Sequence, residues 1–200
     1  MKGFWHMIKA FSLIHKEVPE SRLVLLGAGS FAYYRKLTGE LGIADAVHFA
    51  GMQREPYKYL KKGEIYLLTS QNEGFPNALV EGMVLGLAPV SVNCLTGPAE
   101  ILTEDGDTRK LAGELQKLEK DNKTPVIYGE YGIVLPEMEK ERDLNPEHIS
   151  EEEKRFADVV VALLSDESLL RQYKQAASKR AQCFSYEKYQ EEFLELSRQC

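Results

Sequence analysis

Residues 70–82 read Ser-Gln-Asn-Glu-Gly-Phe-Pro-Asn-Ala-Leu-Val-Glu-Gly, and they follow a short apolar run over residues 65–69. A helical pattern starts within a few positions of that run. Pro76 suits the first turn of a helix, because its missing N–H is no loss there and its φ is already helical. Gly86 is placed to end the helix in the left-handed conformation. This part of the chain therefore predicts a strand, a polar loop and a helix in succession.

The polar loop has the chemistry of a binding site. At the start of a helix the backbone amides lack partners and face the positive end of the dipole. We therefore expect the amides of Gly74, Phe75 and Asn77 to be unpaired, and such an end attracts a phosphate or an array of sugar hydroxyls. Glu73 stands just before the helix and Glu81 about two turns into it. Two carboxylates thus accompany the predicted anion site.

Each carboxylate also has a plain structural interpretation. Glu73 alone can be an acidic residue that the helix dipole favours, and Glu81 alone can be a solvated helix residue. Glu81, however, has little polar company on its helix, and a charge in apolar surroundings is costly without a partner. This favours a functional interpretation of Glu81. Its apolar neighbours are Ala78, Leu79, Val80, Met83, Val84 and Leu85.

Composition limits the class of protein. Two hundred residues with 44% hydrophobic content suit one domain with its own core. A formal charge of −6 argues against a general nucleic-acid binder. Three widely spaced cysteines indicate no disulfide framework, so a reducing cytoplasm is expected. No histidine clusters with cysteine at metal spacing, and the sequence contains neither a membrane span nor a signal peptide.

Short apolar strands alternate with helices along the chain, which predicts an α/β domain with a doubly wound parallel sheet. The first helix, over residues 4–18, carries Trp, Phe and Lys; a peripheral membrane contact is possible for it, but packing against the sheet is favoured. The other predicted helices of this part cover 33–41 and 55–62. The predicted strands cover residues 23–26, 46–49, 65–69, 89–93 and 132–135.

Ligands of such sheets bind at the carboxyl ends of the strands. We therefore expect Lys2, the 27–29 loop, the 51–53 loop and the 70–77 loop to converge on one edge. The Gly-Ala-Gly of residues 27–29 is either a nucleotide-binding turn or a simple tight turn.

The alternation lapses over residues 103–130, which we interpret as an insertion. Asp105 and Asp107 form an Asp-x-Asp pair of the type that holds a metal-diphosphate, but a solvated turn is favoured because no strand precedes it. Residues 150–200 follow with three helical patterns, and their acidic start, residues 151–153, is typical of a helix N-terminus.

The motifs together resemble the family 4 retaining glycosyltransferases. The resemblance rests on Glu73-Gly74-Phe75-Pro76, then Glu81, Gly86, and Gly97-Pro98-Ala99-Glu100. It covers most of residues 2–101 and resumes at 131–136. It implies the C-terminal, donor-binding half of the GT-B architecture, in which two Rossmann-like domains face each other.

The resemblance also implies site residues. Lys2, followed by Gly3, matches the lysine that grips the diphosphate of the donor, and Glu73 is the implied catalytic carboxylate. Glu81 would hold the ribose hydroxyls. The other implied donor-binding positions are Gly51, Met52, Gly74, Phe75, Pro76 and Asn77.

The chain is accordingly expected to be a cytoplasmic glycosyltransferase of carbohydrate biosynthesis that needs a nucleotide-sugar and no metal or cofactor. The resemblance implies three further parts, namely the first strand of the domain, an arginine that grips the diphosphate together with the lysine, and the acceptor domain. The strand and the arginine would lie upstream of Met1, and the acceptor domain either upstream or in a separate chain. Two alternatives are a nucleotide-sugar-binding fragment that is inactive without the acceptor domain, and a sugar-nucleotide epimerase of the same architecture.

Overall fold

The computed structural model describes residues 2–94 and 96–197. They alternate between strands and helices up to β4, as the sequence predicts, and end in three helices. The helices are α1 (Phe4–Glu17), α2 (Ala32–Glu40), α3 (Tyr57–Leu60), α4 (Asn77–Val84), α5 (Pro98–Leu102), α6 (Thr108–Lys120), α7 (Glu151–Ser165), α8 (Glu167–Ala181) and α9 (Tyr186–Ser197). The strands are β1 (Leu23–Leu26), β2 (Val47–Gly51), β3 (Ile65–Leu68), β4 (Ala88–Val92), β5 (Ile127–Tyr128) and β6 (Ile133–Leu135).

The strands form two groups. β1 and β2 pair in parallel, and β3, β4, β6 and β5 form a second sheet in that order. The β3–β4 and β4–β6 pairs are parallel, whereas β5 is antiparallel to β6. The predicted doubly wound parallel sheet is confirmed, and the short strand β5, which the sequence did not predict, adds one antiparallel pair at its edge. β5 has only two residues, too few to show an apolar pattern in the sequence.

Helix α1 links the two sheets, because it starts beside β3 and leads along the chain into β1. Helix α1 begins beside the carboxyl end of β3, where the Thr69 hydroxyl donates to the Gly3 carbonyl at 3.0 Å. A side chain at Gly3 would place its Cβ 2.0 Å from the Thr69 carbonyl oxygen, so only glycine permits this approach. α1 then returns to the amino end of β1. A groove of about 630 Å³ separates β1 from β3.

Helix α1 is a core helix, as favoured from the sequence. Trp5 and Ile8 are fully buried in the larger core, together with Phe156 of α7. The helix also buries two polar side chains, each with a partner: His6 Nδ1 lies 2.7 Å from Glu153 Oε1, and Lys9 Nζ lies 3.0 Å from a carboxylate oxygen of Asp143. In the described residues, no helix is both long and apolar enough to cross a membrane.

Glu153 does more than the acidic helix start expected from the sequence. Its carboxylate accepts from the Ser150 amide, and the Ser150 hydroxyl accepts from the Glu153 amide, which forms a capping box at the start of α7. The same carboxylate contacts His6, and the Glu153 residue is only 1% exposed. The sequence pattern could not reveal this partner, because it lies 147 residues away.

Residues 103–130 contribute to a second, smaller core. Leu111 and Leu115 of α6 are buried against residues of α4, α5 and α8. Asp107 caps α6 by accepting from the amides of Arg109 and Lys110. Asp105 forms an ion pair with Lys110. Both aspartates therefore have structural partners, in agreement with the turn interpretation.

Candidate functional site

The site lies at the carboxyl end of β3. There Lys2 Nζ lies 2.6 Å from Glu73 Oε1. The Lys2 side chain is 60% exposed, whereas that of Glu73 is only 10% exposed. The expected meeting of Lys2 with the 70–77 loop is thus observed. The lysine side chain reaches solvent, while the carboxylate is largely enclosed by the protein.

Helix α4 begins one residue later than the sequence suggested, since Pro76 is its N-cap residue and Asn77 is the first helical residue. The Asn77 amide donates to the Phe75 carbonyl at 2.9 Å, so the prediction that it is unpaired was wrong. This hydrogen bond closes a tight turn around Pro76, directly before the helix. The amides of Gly74 and Phe75 have no hydrogen-bond partner among the described residues.

Three residues outside the loop hold it in place. The Thr96 hydroxyl donates to the Glu73 carbonyl. Gly97 has a φ of 96°, and a Cβ there would lie 2.7 Å from the Gly74 carbonyl oxygen. The rings of Phe75 and Phe184 meet edge to face at 5.4 Å. Sequence reasoning quoted Gly97 only as part of a motif and missed the other two, although a Gly-Pro pair is itself a turn signal.

The loop is also tied to the segment that follows β6. Gln71 Nε2 donates to the carbonyl of Glu139 at 3.0 Å and to that of Lys140 at 2.7 Å. The Glu139 carbonyl lies 2.9 Å from His6 Nε2 as well. One peptide group therefore contacts both the candidate site loop and α1.

Glu81 lines the groove between β1 and β3, on the opposite face of it from α1. It is half-buried, and its carboxylate has no ion pair or hydrogen bond among the described residues. Solvent reaches this position, which lowers the cost of leaving the charge without a partner, and the functional interpretation of Glu81 stays a prediction. The unpaired carboxylate is available to a ligand.

The Tyr66 phenol of β3 interacts electrostatically with both Glu73 and Glu81. The sequence did not single out this tyrosine as a site residue. Burial above all, and then the negative charges of Glu73 and Glu81, raise the pKa of its phenol above the ordinary value. Gly82 permits the close packing of α4 on this ring, since a Cβ there would lie 2.6 Å from a ring carbon. The phenol is therefore a neutral donor near both carboxylates.

Gly51 and Met52 lie at the end of β2, in the other sheet. The Gly27 amide donates to the Gly51 carbonyl at 3.0 Å, which joins the 27–29 and 51–53 loops. Met52 is 77% exposed. The predicted site residues thus form two groups, Lys2 with the 70–77 loop at the end of β3 and Gly51 with Met52 at the end of β2. Glu81 belongs to neither group, and it lines the groove between β1 and β3 from helix α4.

Comparison with known proteins identifies the family. A family model described as "Glycosyl transferases group 1" matches residues 1–135. The chain belongs to this family. It is 33% identical over 191 residues to an uncharacterised glycosyltransferase of Methanocaldococcus jannaschii, covering 94% of this chain and 44% of the relative. It is 36% identical over 89 residues to the lipopolysaccharide 1,6-galactosyltransferase of Escherichia coli, covering 42% of this chain and 25% of that protein. The chain thus spans less than half the length of these relatives.

Solved structures of glycosyltransferases share the fold. The pneumococcal O-GlcNAc transferase GtfA, in complex with UDP and GlcNAc, matches 99% of this chain with 33% of its own, at 18% identity and a TM-score of 0.74. The C-terminal domain of a group 1 glycosyl transferase, LpcC from Francisella tularensis, matches 90% of this chain with 78% of its own, at 18% identity and a TM-score of 0.64. The predicted fold class, the Rossmann-like C-terminal half of a GT-B architecture, is confirmed.

Proposed function

We propose that this chain is the donor-binding half of a retaining, nucleotide-sugar-dependent glycosyltransferase that acts in the cytoplasm without a metal. Its acceptor domain would be supplied upstream or by a separate chain. The observation that carries the proposal is the Lys2–Glu73 contact of 2.6 Å at the carboxyl end of β3, beside the start of α4. An exposed cation beside an enclosed carboxylate suits a sugar diphosphate, because the cation can bind the phosphates and the carboxylate can bind the sugar hydroxyls.

Lys2 would bind the diphosphate. Its side chain is exposed, so it can leave Glu73 and turn to a phosphate oxygen without a large rearrangement. The exposed amides of Gly74 and Phe75 add two donors near the positive end of α4. As the sugar departs, negative charge accumulates on the leaving diphosphate, and fixed donors of this kind stabilise it.

Glu73 would act on the sugar. When Lys2 turns to the phosphate, the carboxylate regains free acceptor oxygens, because its neighbour Thr96 bonds only to the backbone carbonyl. It can accept hydrogen bonds from sugar hydroxyls and stabilise positive charge that develops at the anomeric carbon. Retention of configuration fits a front-face substitution assisted by the leaving phosphate, and not the two-carboxylate scheme of many hydrolases.

Glu81 would accept hydrogen bonds from the ribose hydroxyls, and the backbone at Gly51 and Met52 would contact the base. Glu81 suits this role because its carboxylate has no ion pair or hydrogen bond within residues 2–94 and 96–197. Two relatives support a nucleotide-sugar donor: GtfA was solved with UDP and GlcNAc, and HepE of Anabaena was solved with UDP and glucose. HepE matches all of this chain with 45% of its own, at a TM-score of 0.69.

The test is calorimetric titration of UDP-, GDP- and ADP-sugars into the 200-residue chain, its Lys2→Ala variant and a control, Lys16→Ala, which removes an exposed lysine elsewhere on α1. One donor series should bind, and Lys2→Ala should weaken it by roughly tenfold or more, since charge-assisted hydrogen bonds contribute about 1.5–3 kcal/mol. Lys16→Ala should bind like the parent. Equal affinity of all three proteins would refute the role of Lys2.

Activity requires a second experiment. Sugar transfer should appear only when the acceptor domain is joined to or mixed with this chain, and the product should keep the anomeric configuration of the donor by NMR. Turnover of the nucleotide-sugar without any acceptor would favour the epimerase. Inversion of configuration would contradict the retaining mechanism.

A further inference from the structure

His6 of α1 is a buried imidazole that the proposed chemistry does not use. The residue is 3% exposed. Its Nδ1 lies 2.7 Å from Glu153 Oε1, and its Nε2 lies 2.9 Å from the Glu139 carbonyl oxygen. His6 therefore joins α1 both to the start of α7 and to the segment that follows β6.

The two partners fix what the ring does. A carbonyl oxygen only accepts hydrogen bonds, so Nε2 of His6 carries a proton and donates it to Glu139. The ring is held in this orientation from its other side, because Glu153 is itself anchored. Its second carboxylate oxygen accepts from the Ser150 amide at 2.9 Å. His6 thus presents a fixed donor to the segment after β6.

The same carbonyl oxygen also receives a side chain of the candidate site loop. Gln71 Nε2 donates to the Glu139 carbonyl at 3.0 Å and to the Lys140 carbonyl at 2.7 Å. A carbonyl oxygen has two lone pairs, so it accepts from His6 and Gln71 at once. Gln71 precedes Glu73 closely on the chain. The position of this one oxygen therefore influences where the first part of the loop lies.

We propose that His6 is a positioning residue of the candidate donor site. Its Nε2 proton holds the Glu139 carbonyl, and that carbonyl holds Gln71. Gln71 in turn orients the loop that carries Glu73. The effect of His6 on donor affinity rests on the proposed function, whereas its effect on the loop does not.

His6 also lies close along the chain to Lys2. The His6 amide donates to the Gly3 carbonyl at 3.0 Å, so the ring belongs to the first turn of α1, which directly follows Lys2 and Gly3. Lys2 and Glu73 form their 2.6 Å contact between two separate parts of the chain. His6 ties these two parts together, and so it helps to set the spacing between the cation and the carboxylate.

Two variants separate this role from a purely structural one. His6→Gln has an amide nitrogen the same number of bonds from Cβ as Nε2, so it keeps a donor for the Glu139 carbonyl. His6→Asn has its amide nitrogen in the place of Nδ1, so it keeps the contact with Glu153 and loses Glu139. Each variant gives up one buried hydrogen bond, and both should lower Tm by similar amounts. They differ in the hydrogen bond that leads to the loop.

Amide hydrogen exchange over residues 70–80, followed by mass spectrometry in the 200-residue chain, measures the loop without any ligand. His6→Asn should speed exchange there by about threefold or more, whereas His6→Gln should stay within about twofold of the parent. Exchange in β4 is the reference for general loosening of the fold. Titration of UDP-, GDP- and ADP-glucose should show the same order, with about fivefold weaker binding in His6→Asn alone. If none of these donors binds the parent, the proposed function fails and the exchange result decides the role of His6.

Gln71→Ala tests the other end of the connection, and it does so at a half-buried position where the fold should tolerate the change. It should speed loop exchange as His6→Asn does, and the double variant should exchange no faster than either single variant, because both remove the same connection. Loop exchange at the parent rate in Gln71→Ala would overturn the proposal. So would equal loop exchange in His6→Gln and His6→Asn, because His6 would then serve only the core.

Discussion

Glu73→Gln and Glu81→Ala should separate the two glutamates of the site. If Glu81 accepts hydrogen bonds from ribose, its removal weakens free nucleoside diphosphate and complete donor alike. A hydrogen bond to a charged acceptor contributes about 1.5–3 kcal/mol. The expected loss of affinity is therefore about tenfold to over a hundredfold.

Glu73→Gln should leave nucleoside diphosphate affinity unchanged or raise it slightly. The parent must break the Lys2–Glu73 pair when a diphosphate binds, and the lysine side chain is 60% exposed. An exposed pair contributes about 0–1 kcal/mol, so its removal strengthens binding by at most about fivefold. The same change removes a charge beside the reacting carbon, and turnover of the complete enzyme should fall by about a hundredfold or more.

Calorimetric titration of nucleoside diphosphate and donor sugar, together with turnover in the two-domain enzyme, measures both effects. Glu17→Ala is the matched control, because Glu17 is an exposed residue at the end of α1. Equal losses of nucleotide affinity in the two site variants would refute the division of roles. Turnover of Glu73→Gln at the parent rate would refute a catalytic role for its charge.

Three further predictions concern the scaffold. Replacing residues 107–123 by a short Gly/Ser linker should keep nucleotide binding, because loop closure costs little. It should lower Tm, because two buried leucines of α6 are lost. Calorimetry and a thermal melt check both effects, and loss of binding in a folded variant would make the segment part of the site. Gly97→Ala should lower the free energy of unfolding, measured by urea denaturation, by about 1–3 kcal/mol, and should weaken donor binding, since φ is positive and the space for a Cβ is filled. The control Gly113→Ala, which lies in open space on α6, should be neutral or stabilising. The amide of Asn145, above all, lowers the pKa of Asp143. Asp143 therefore contributes stability above its unfolded pKa of about 3.9 that is lost as the pH falls further, and Asp143→Asn should show a smaller loss of stability in acid than the parent.

Much of this fold follows from local pattern. The start of α4 was placed within a residue, because Pro76 and the preceding polar loop mark a helix N-terminus. Gly86 ends the helix with a φ of 81°, as expected. The five longer strands were found because each is a short apolar run with a turn signal after it. β5 escaped because two residues carry no pattern.

The site was predictable only where a rule about the whole sheet links distant residues. Lys2 and Glu73 are 71 residues apart, and they were brought together by the rule that loops at the carboxyl ends of parallel strands share one edge. No such rule connects Phe75 with Phe184 or His6 with Glu153. Those contacts depend on how the C-terminal helices pack, which a single sequence does not encode in any local spacing. The roles of the site residues stay predictions.

The carbonyl oxygen of Glu139 contacts two parts of the molecule that are far apart in sequence. It contacts Gln71 from the candidate donor loop at 3.0 Å and His6 from α1 at 2.9 Å. A displacement of the loop that moves Gln71 on ligand binding would change one of the two hydrogen bonds to this oxygen. The chemical shift of a ¹³C label on the Glu139 carbonyl would therefore report motion of the loop and of α1 in one signal.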